Sequence, residues 1–222
     1  MSVAIIDYGS GNLRSAEKAV QRCARDRGLS LAVQVTSCPE KVAAADHIIL
    51  PGVGAFGDCI SGLRALDGMT EALEQAAIKQ GRPFLGICVG MQLMATVGHE
   101  HGDHEGLDWI KGHVKPLNIA EDQNLKMPHL KIPHMGWNQL AIAEPHGAHP
   151  VLRGISDGDH VYFVHSYQYE VCDLSHVMMR SEYGGDIPAM IGRDNIVGTQ
   201  FHPEKSQEVG LRLIGNFLQW HP

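Results

Sequence analysis

Over the first ninety positions, short apolar blocks alternate with stretches whose apolar residues recur at helical spacing. The blocks Val3–Asp7, Leu31–Val35, His47–Leu50 and Phe84–Ile87 have the length and the Val/Ile/Leu content of strands buried on both faces. Between them, Leu13–Arg27, Asp58–Ala65 and Met69–Gln80 read as helices. Leu13, Ala16, Val20 and Ala24 fall roughly on one face, and Gly28 and Gly81 are placed to end their helices. This order predicts an α/β, doubly wound, mainly parallel sheet flanked by helices. From Trp109 onward the pattern shortens. Gly136–Ile142, Val161–Val164, Val177–Arg180, Ala189–Ile191 and Ile196–Phe201 read as strands, added antiparallel in the second half, and Gln207–Gln219 reads as a closing helix. Ligands of such sheets bind outside the carboxyl ends of the strands, where Pro51, Cys88 and His202 are expected.

The most informative of these strand ends is Gly86-Ile87-Cys88-Val89-Gly90. An apolar strand running into G-x-C-x-G and then into a helix-forming stretch is the nucleophile-elbow pattern with cysteine in place of serine. Gly86 and Gly90 remove side chains where strand and helix crowd, and a helix N-terminus directly after Cys88 favours the nucleophilic thiolate. A small cysteine packing a strand end is the alternative. His202-Pro203-Glu204, directly after the last strand, weighs against it. Read as extended, His202 and Glu204 project to one side, giving a base for the thiol proton and a carboxylate to orient it.

Two other patterns point to different chemistry. Gly52-Val53-Gly54-Ala55-Phe56-Gly57 matches a dinucleotide-binding turn, but it follows an internal strand, and no companion acidic residue is evident at the end of a second strand. His99-Glu100-His101-Gly102-Asp103-His104-Glu105 invites a metal reading, yet it contains glycine and lacks the helix that would place i and i+4 ligands on one face. We read it as a mobile surface loop, with no metal expected. Lys126–Leu130 and Lys131–Met135 are near copies, and only the second continues into Gly136-Trp137-Asn138; the first reads as a loop elaboration.

Composition narrows the class further. The 222 residues show no break that would divide them and read as a single domain over 1–222. With 18 basic against 25 acidic residues and a net charge of −7, the chain carries no nucleic-acid footprint. No apolar run reaches the ~18 residues of a membrane span, and Val3–Asp7 reads as a core strand rather than part of a signal segment. Five cysteines, without C-x-x-C, suit a reducing cytoplasm better than a disulfide framework.

Taken together, Gly86–Gln92 (G-I-C-V-G-M-Q) and Gln200–Ser206 (Q-F-H-P-E-K-S) resemble the class I glutamine amidotransferases. Pro51–Phe56 (P-G-V-G-A-F), Lys131–Asn138 (K-I-P-H-M-G-W-N) and Phe163–Tyr167 (F-V-H-S-Y) extend the likeness over nearly the whole chain. The resemblance implies a catalytic triad of Cys88, His202 and Glu204 that hydrolyses L-glutamine to glutamate and ammonia without a cofactor. It implies oxyanion donors from Gly52, Val53 and Gly54 with Val89, in place of a plain tight turn. By the same resemblance Gln92 binds the substrate's backbone groups, Glu100 its α-amino group, and the His165-Ser166-Tyr167 segment its carboxylate. The preceding Ala95–His99 departs from the family's usual run, so Glu100 reads equally as a solvated loop residue, and His165–Tyr167 also reads as a buried strand. Trp137, Asn138, Tyr162 and Lys205 are implied to border a (β/α)8-barrel cyclase that takes the ammonia in a heterodimer; the alternative for Trp137 is an ordinary buried tryptophan. Glutaminases serving other syntheses generally carry P-G-G and lack P-H-M-G-W-N. A non-catalytic module of the same fold would not need Cys88, His202 and Glu204 intact.

Overall fold

A computed structural model of the chain describes residues 1–118 and 130–222, so the first repeat copy, Lys126–Leu130, lies outside the described residues except for Leu130. The first half alternates as β1 (Ser2–Ile6), α1 (Leu13–Asp26), β2 (Ala32–Thr36), α2 (Pro39–Ala43), β3 (His47–Gly52), α3 (Phe56–Arg64), α4 (Met69–Leu73), β4 (Phe84–Cys88) and α5 (Val89–Gln92). Every residue of β3 and β4 is buried, as continuous apolar blocks demand of central parallel strands. In α1 the buried face is Ala16, Ala19, Val20, Cys23 and Ala24, and Gly28 at φ 63° follows its end. The expected third helix begins as α4 but continues over Glu74–Lys79 as a π-helical segment.

The second half comprises β5 (Val97–Gly98), β6 (His104–Glu105), β7 (Gly112–Pro116), β8 (His134–Gln139), β9 (Ala141–Ile142), β10 (His160–His165), β11 (Tyr167–Val171), β12 (Val177–Glu182), β13 (Asp186–Arg193), β14 (Ile196–Thr199) and α6 (Gln207–Leu218). Among the described residues, eight strands form the main sheet in the order β2-β1-β3-β4-β14-β13-β12-β9. The first five run parallel and the remaining pairings are antiparallel, the mixed arrangement expected. The segment expected as one strand over 136–142 is two: β8 pairs with β10, β9 pairs with β12, and buried Leu140 turns the chain between them. The last expected strand ends at Thr199, two residues early.

The His99–Glu105 run is not the free loop expected. Val97–Gly98 pairs with His104–Glu105, and the hairpin joins β7 and β11 in a second sheet. His99 is pinned from both ring nitrogens, Nδ1 to Asp103 at 2.6 Å and Nε2 to His113 Nδ1 at 2.9 Å. Among the described residues, no group of three or more His, Cys, Asp or Glu side chains is arranged to hold a metal ion, and no helix is long and apolar enough to cross a membrane.

For the chemistry, the decisive feature is the neighbour order β3-β4-β14. All three run the same way, with Gly52 registered on Cys88 and Thr199 on Ile87, so their carboxyl ends bring the glycine-rich turn, the cysteine and the histidine segment to one place.

Candidate active site

Cys88 occupies a backbone conformation that L side chains rarely adopt, φ 54° and ψ −110°. Such strain costs on the order of 1–3 kcal/mol and persists only where the surroundings enforce it. Here glycines enforce it. A Cβ on Gly90 would stand 1.8 Å from the Leu50 carbonyl oxygen, and one on Gly86 would stand 2.6 Å from the Gly90 oxygen. β3, β4 and the start of α5 thus meet backbone to backbone, and the sulfur is turned out of the sheet. The helix after Cys88 is a single turn, so its dipole is a weaker aid to a thiolate than the sequence pattern implies.

His202 and Glu204 meet, although not along an extended segment: Pro203 starts a 3-10 turn over Pro203–Lys205 that folds the carboxylate back onto the ring. His202 Nδ1 lies 2.9 Å from Glu204 Oε1, and both side chains are only 1–2% exposed, so the pair is little screened by solvent. Because a carboxylate accepts, Nδ1 carries the hydrogen and Nε2 is left to face the site. Nε2 and Glu204 Oε2 are buried without a partner among the described residues. Burial alone disfavours the imidazolium, but the Cys88 sulfur and the Glu204 carboxylate together outweigh it and raise His202 to about 9. The sulfur is thus near enough to influence the ring's charge while making no aligned hydrogen bond to Nε2. At rest it lies 3.6 Å from Gln200 Nε2 and 4.0 Å from the Val164 oxygen.

Cys88 and His202 open on a cavity of about 300 Å³ whose lining also includes Val53, Gly54, Val89, Gln92, Glu100, His165, Ser166, Tyr167 and Lys205. The sequence-derived substrate residues are therefore brought together. Gln92 Nε2 donates to the Tyr167 oxygen at 3.2 Å and to Gln200 Oε1 at 3.0 Å, which commits both its hydrogens to the protein. Glu100 Oε2 accepts from the Phe56 N–H at 2.7 Å, at the start of α3, so its carboxylate is fixed rather than solvated. The glycine-rich turn is held differently from what an open oxyanion site needs. Val53 N–H donates to Ser10 Oγ at 3.2 Å, and the Val53 carbonyl accepts from the same hydroxyl and from Cys59 Sγ.

A buried polar chain lies behind the cavity, and His134 and Gln200 are members of the site that sequence reasoning missed. His165 Nδ1 lies 2.9 Å from the Tyr167 oxygen, and a carbonyl only accepts, so this nitrogen carries the hydrogen. His165 Nε2 must then accept from His134 Nδ1 at 2.9 Å, and His134 Nε2 from Asn138 Nδ2 at 3.2 Å. Burial holds both rings neutral, depressing His134 to about 3 and His165 to about 4. Asn138 is half-buried and also donates to the Glu182 oxygen at 2.8 Å, and the alternation of β8 puts Trp137 on the other face. Trp137 is 47% exposed, which excludes the buried alternative; its ring stands 6.0 Å from that of Tyr162, over which Lys205 Nζ sits at 5.8 Å.

Residues 4–220 match the family described as glutamine amidotransferase class-I. The chain is 56% identical over 222 residues to the imidazole glycerol phosphate synthase subunit HisH of Rhodospirillum rubrum, with all of both chains covered. It is 53% identical over 222 residues to the subunit of the same name from Cereibacter sphaeroides, again over the full length of each. A crystal structure of a glutamine amidotransferase shares the fold at a TM-score of 0.70 and 17% identity, covering 98% of this chain and 97% of that one.

Proposed function

The chain belongs to the class-I glutamine amidotransferase family, and on that premise we propose that it is the glutaminase subunit of imidazole glycerol phosphate synthase, acting in histidine biosynthesis. The observation that carries the reading is the convergence of Cys88 with the buried His202–Glu204 pair on one cavity. Cys88 attacks the side-chain amide carbon of glutamine, while His202 takes the thiol proton at Nε2 and returns one to the leaving ammonia. Glu204 fixes the tautomer through Nδ1 and stabilises the imidazolium. The glutamyl thioester is then hydrolysed by water. Gln92 and Glu100, with the segment His165–Tyr167, hold the amino-acid end of the substrate. The whole of 1–222 serves as one glutaminase domain, and the free thiols of all five cysteines suit the cytoplasm.

Ammonia released into bulk water at neutral pH becomes mostly ammonium, which is no nucleophile, so the chemistry favours delivery to a bound partner. That partner is a (β/α)8-barrel cyclase docked over Trp137, Tyr162 and Lys205. Exposed aromatic surface of this kind beside a catalytic cavity suits an interface.

The Ser10–Val53 contact makes the site's activity conditional. Val53 N–H serves the tetrahedral oxygen, together with Val89 N–H, only after Ser10 releases it. Steady-state glutamate release is therefore expected to be low for the chain alone and to rise at least roughly a hundredfold when the cyclase and its nucleotide are both present, the scale of one oxyanion donor gained. Equal rates for the chain, the complex and the loaded complex would remove the gating. Ser10→Ala isolates the latch: losing a hydrogen bond of ~1 kcal/mol should raise the unstimulated rate about fivefold. An unchanged rate in a folded variant would show that Ser10 does not hold the turn.

A further inference from the structure

Gln200 is wholly buried between β14 and His202, and neither the triad nor the substrate-holding residues account for it. A buried side-chain amide keeps its place in a fold when its partners satisfy it. Its Oε1 accepts from Gln92 Nε2 at 3.0 Å, and its Nε2 donates to Cys88 Sγ at 3.6 Å. The first contact settles the second: with a donor on Oε1, the end of the amide turned toward the sulfur carries N–H.

An N–H aimed at sulfur distinguishes thiolate from thiol, because a charge-assisted hydrogen bond is roughly twice as strong as a neutral one. The site needs such a donor. The following helix is one turn long, and His202 is only an intermittent partner, since its Nε2 proton leaves with the ammonia. An amide neither gains nor loses a proton through the cycle, so it can serve sulfur both when the thiolate forms and when the thioester collapses.

We propose that Gln200 is a further catalytic residue, whose side-chain N–H stabilises the Cys88 sulfur anion and is aimed there by Gln92. The proposal rests on the reading of Cys88 as the nucleophile. Its proton balance is simple: the thiol hydrogen passes to His202 Nε2, and Gln200 contributes only the hydrogen bond. Gln92, which also donates to the Tyr167 carbonyl, thereby ties the backbone that lines the substrate cavity to the charge on sulfur.

The test is the pH dependence of Cys88 alkylation by iodoacetamide in the full chain, read by mass spectrometry of the peptide that carries Cys88, so that the other four cysteines do not interfere. Gln200→Met keeps length and removes the N–H. Gln200→Glu keeps shape and the acceptor for Gln92 but turns oxygen toward the sulfur. The alkylation midpoint should move up in the Met variant and further in the Glu variant, and once it lies above pH 7 alkylation at pH 7 should slow by about tenfold per further pH unit. An unchanged midpoint in a folded Met variant overturns the proposal. Should neither variant fold, the wild-type Gln200 side-chain amide is followed by ¹⁵N NMR: its resonance should shift as Cys88 titrates, and a resonance indifferent to that titration overturns the proposal equally. Failure of glutamate release by the assembled wild-type synthase would strike the glutaminase reading instead and leave the alkylation result untouched.

Discussion

Cys88→Ala is expected to reduce glutamine-dependent turnover by roughly 10⁴-fold or more, while the complex with the cyclase still forms product from added ammonium salts at the parental rate. On the proposed mechanism, without the sulfur no acyl-enzyme forms, and His202 has only water to activate. The backbone gives a second, independent readout. Alanine at φ 54° retains the strain that cysteine bears, whereas Cys88→Gly releases on the order of 1–3 kcal/mol of it. The glycine variant should therefore be as inactive as the alanine variant but melt at a higher temperature. The measurements are product formation from each nitrogen source and a melting curve for each variant. Loss of the ammonium-dependent reaction in an intact complex would contradict the division of labour, and a glycine variant no more stable than alanine would mean the elbow is not strained.

What the sequence disclosed, and what it hid, follows from how each residue is solvated. β1, β3 and β4 were legible because burial on both faces leaves an unbroken apolar block, as in Ile48-Ile49-Leu50. The elbow was legible because Gly86 and Gly90 answer a contact requirement that admits no other residue. β7 and β11 were not: each is five residues long with its polar residues on the face opposite buried Val114 or Tyr169, and Lys115 on one pairs with Glu170 on the other at 2.6 Å, which no single-strand pattern can show. α2 was missed for its brevity, although Pro39 stands at its first turn, where proline is favoured. Gln200 and His134 escaped for a different reason. Gln200 interrupts an apolar block and His134 stands just before an expected strand, and the meaning of each depends on a partner distant in sequence, 112 residues away for Gln200 and Cys88 and 31 for His134 and His165. The usable signal was the polar residue itself, since a glutamine inside a buried block demands a hydrogen-bond account. That Asn138 and Trp137 face opposite ways was legible in principle, because successive side chains alternate along β8.

His202→Asn is expected to lower glutaminase turnover by roughly 10⁶-fold, and Glu204→Gln by less, roughly 10⁴-fold, because the base acts on the reacting atoms and the carboxylate acts through the base. Their effects on stability should separate by pH. A histidine raised from the ordinary value of 6.5 to about 9 contributes stability that is fully present below pH 6.5 and is lost as pH rises through about 9. Glu204→Gln removes one of the two groups that raise it, and burial then pulls the ring back down. The parent's stability advantage over Glu204→Gln should therefore be largest near pH 6 and shrink steadily toward pH 9, as measured by urea unfolding at a series of pH values. Steady-state kinetics of the two variants in the complex supply the other half of the test. Small and equal losses of turnover, or a stability difference indifferent to pH, would mean that the buried pair is a structural ion pair and that another group deprotonates Cys88.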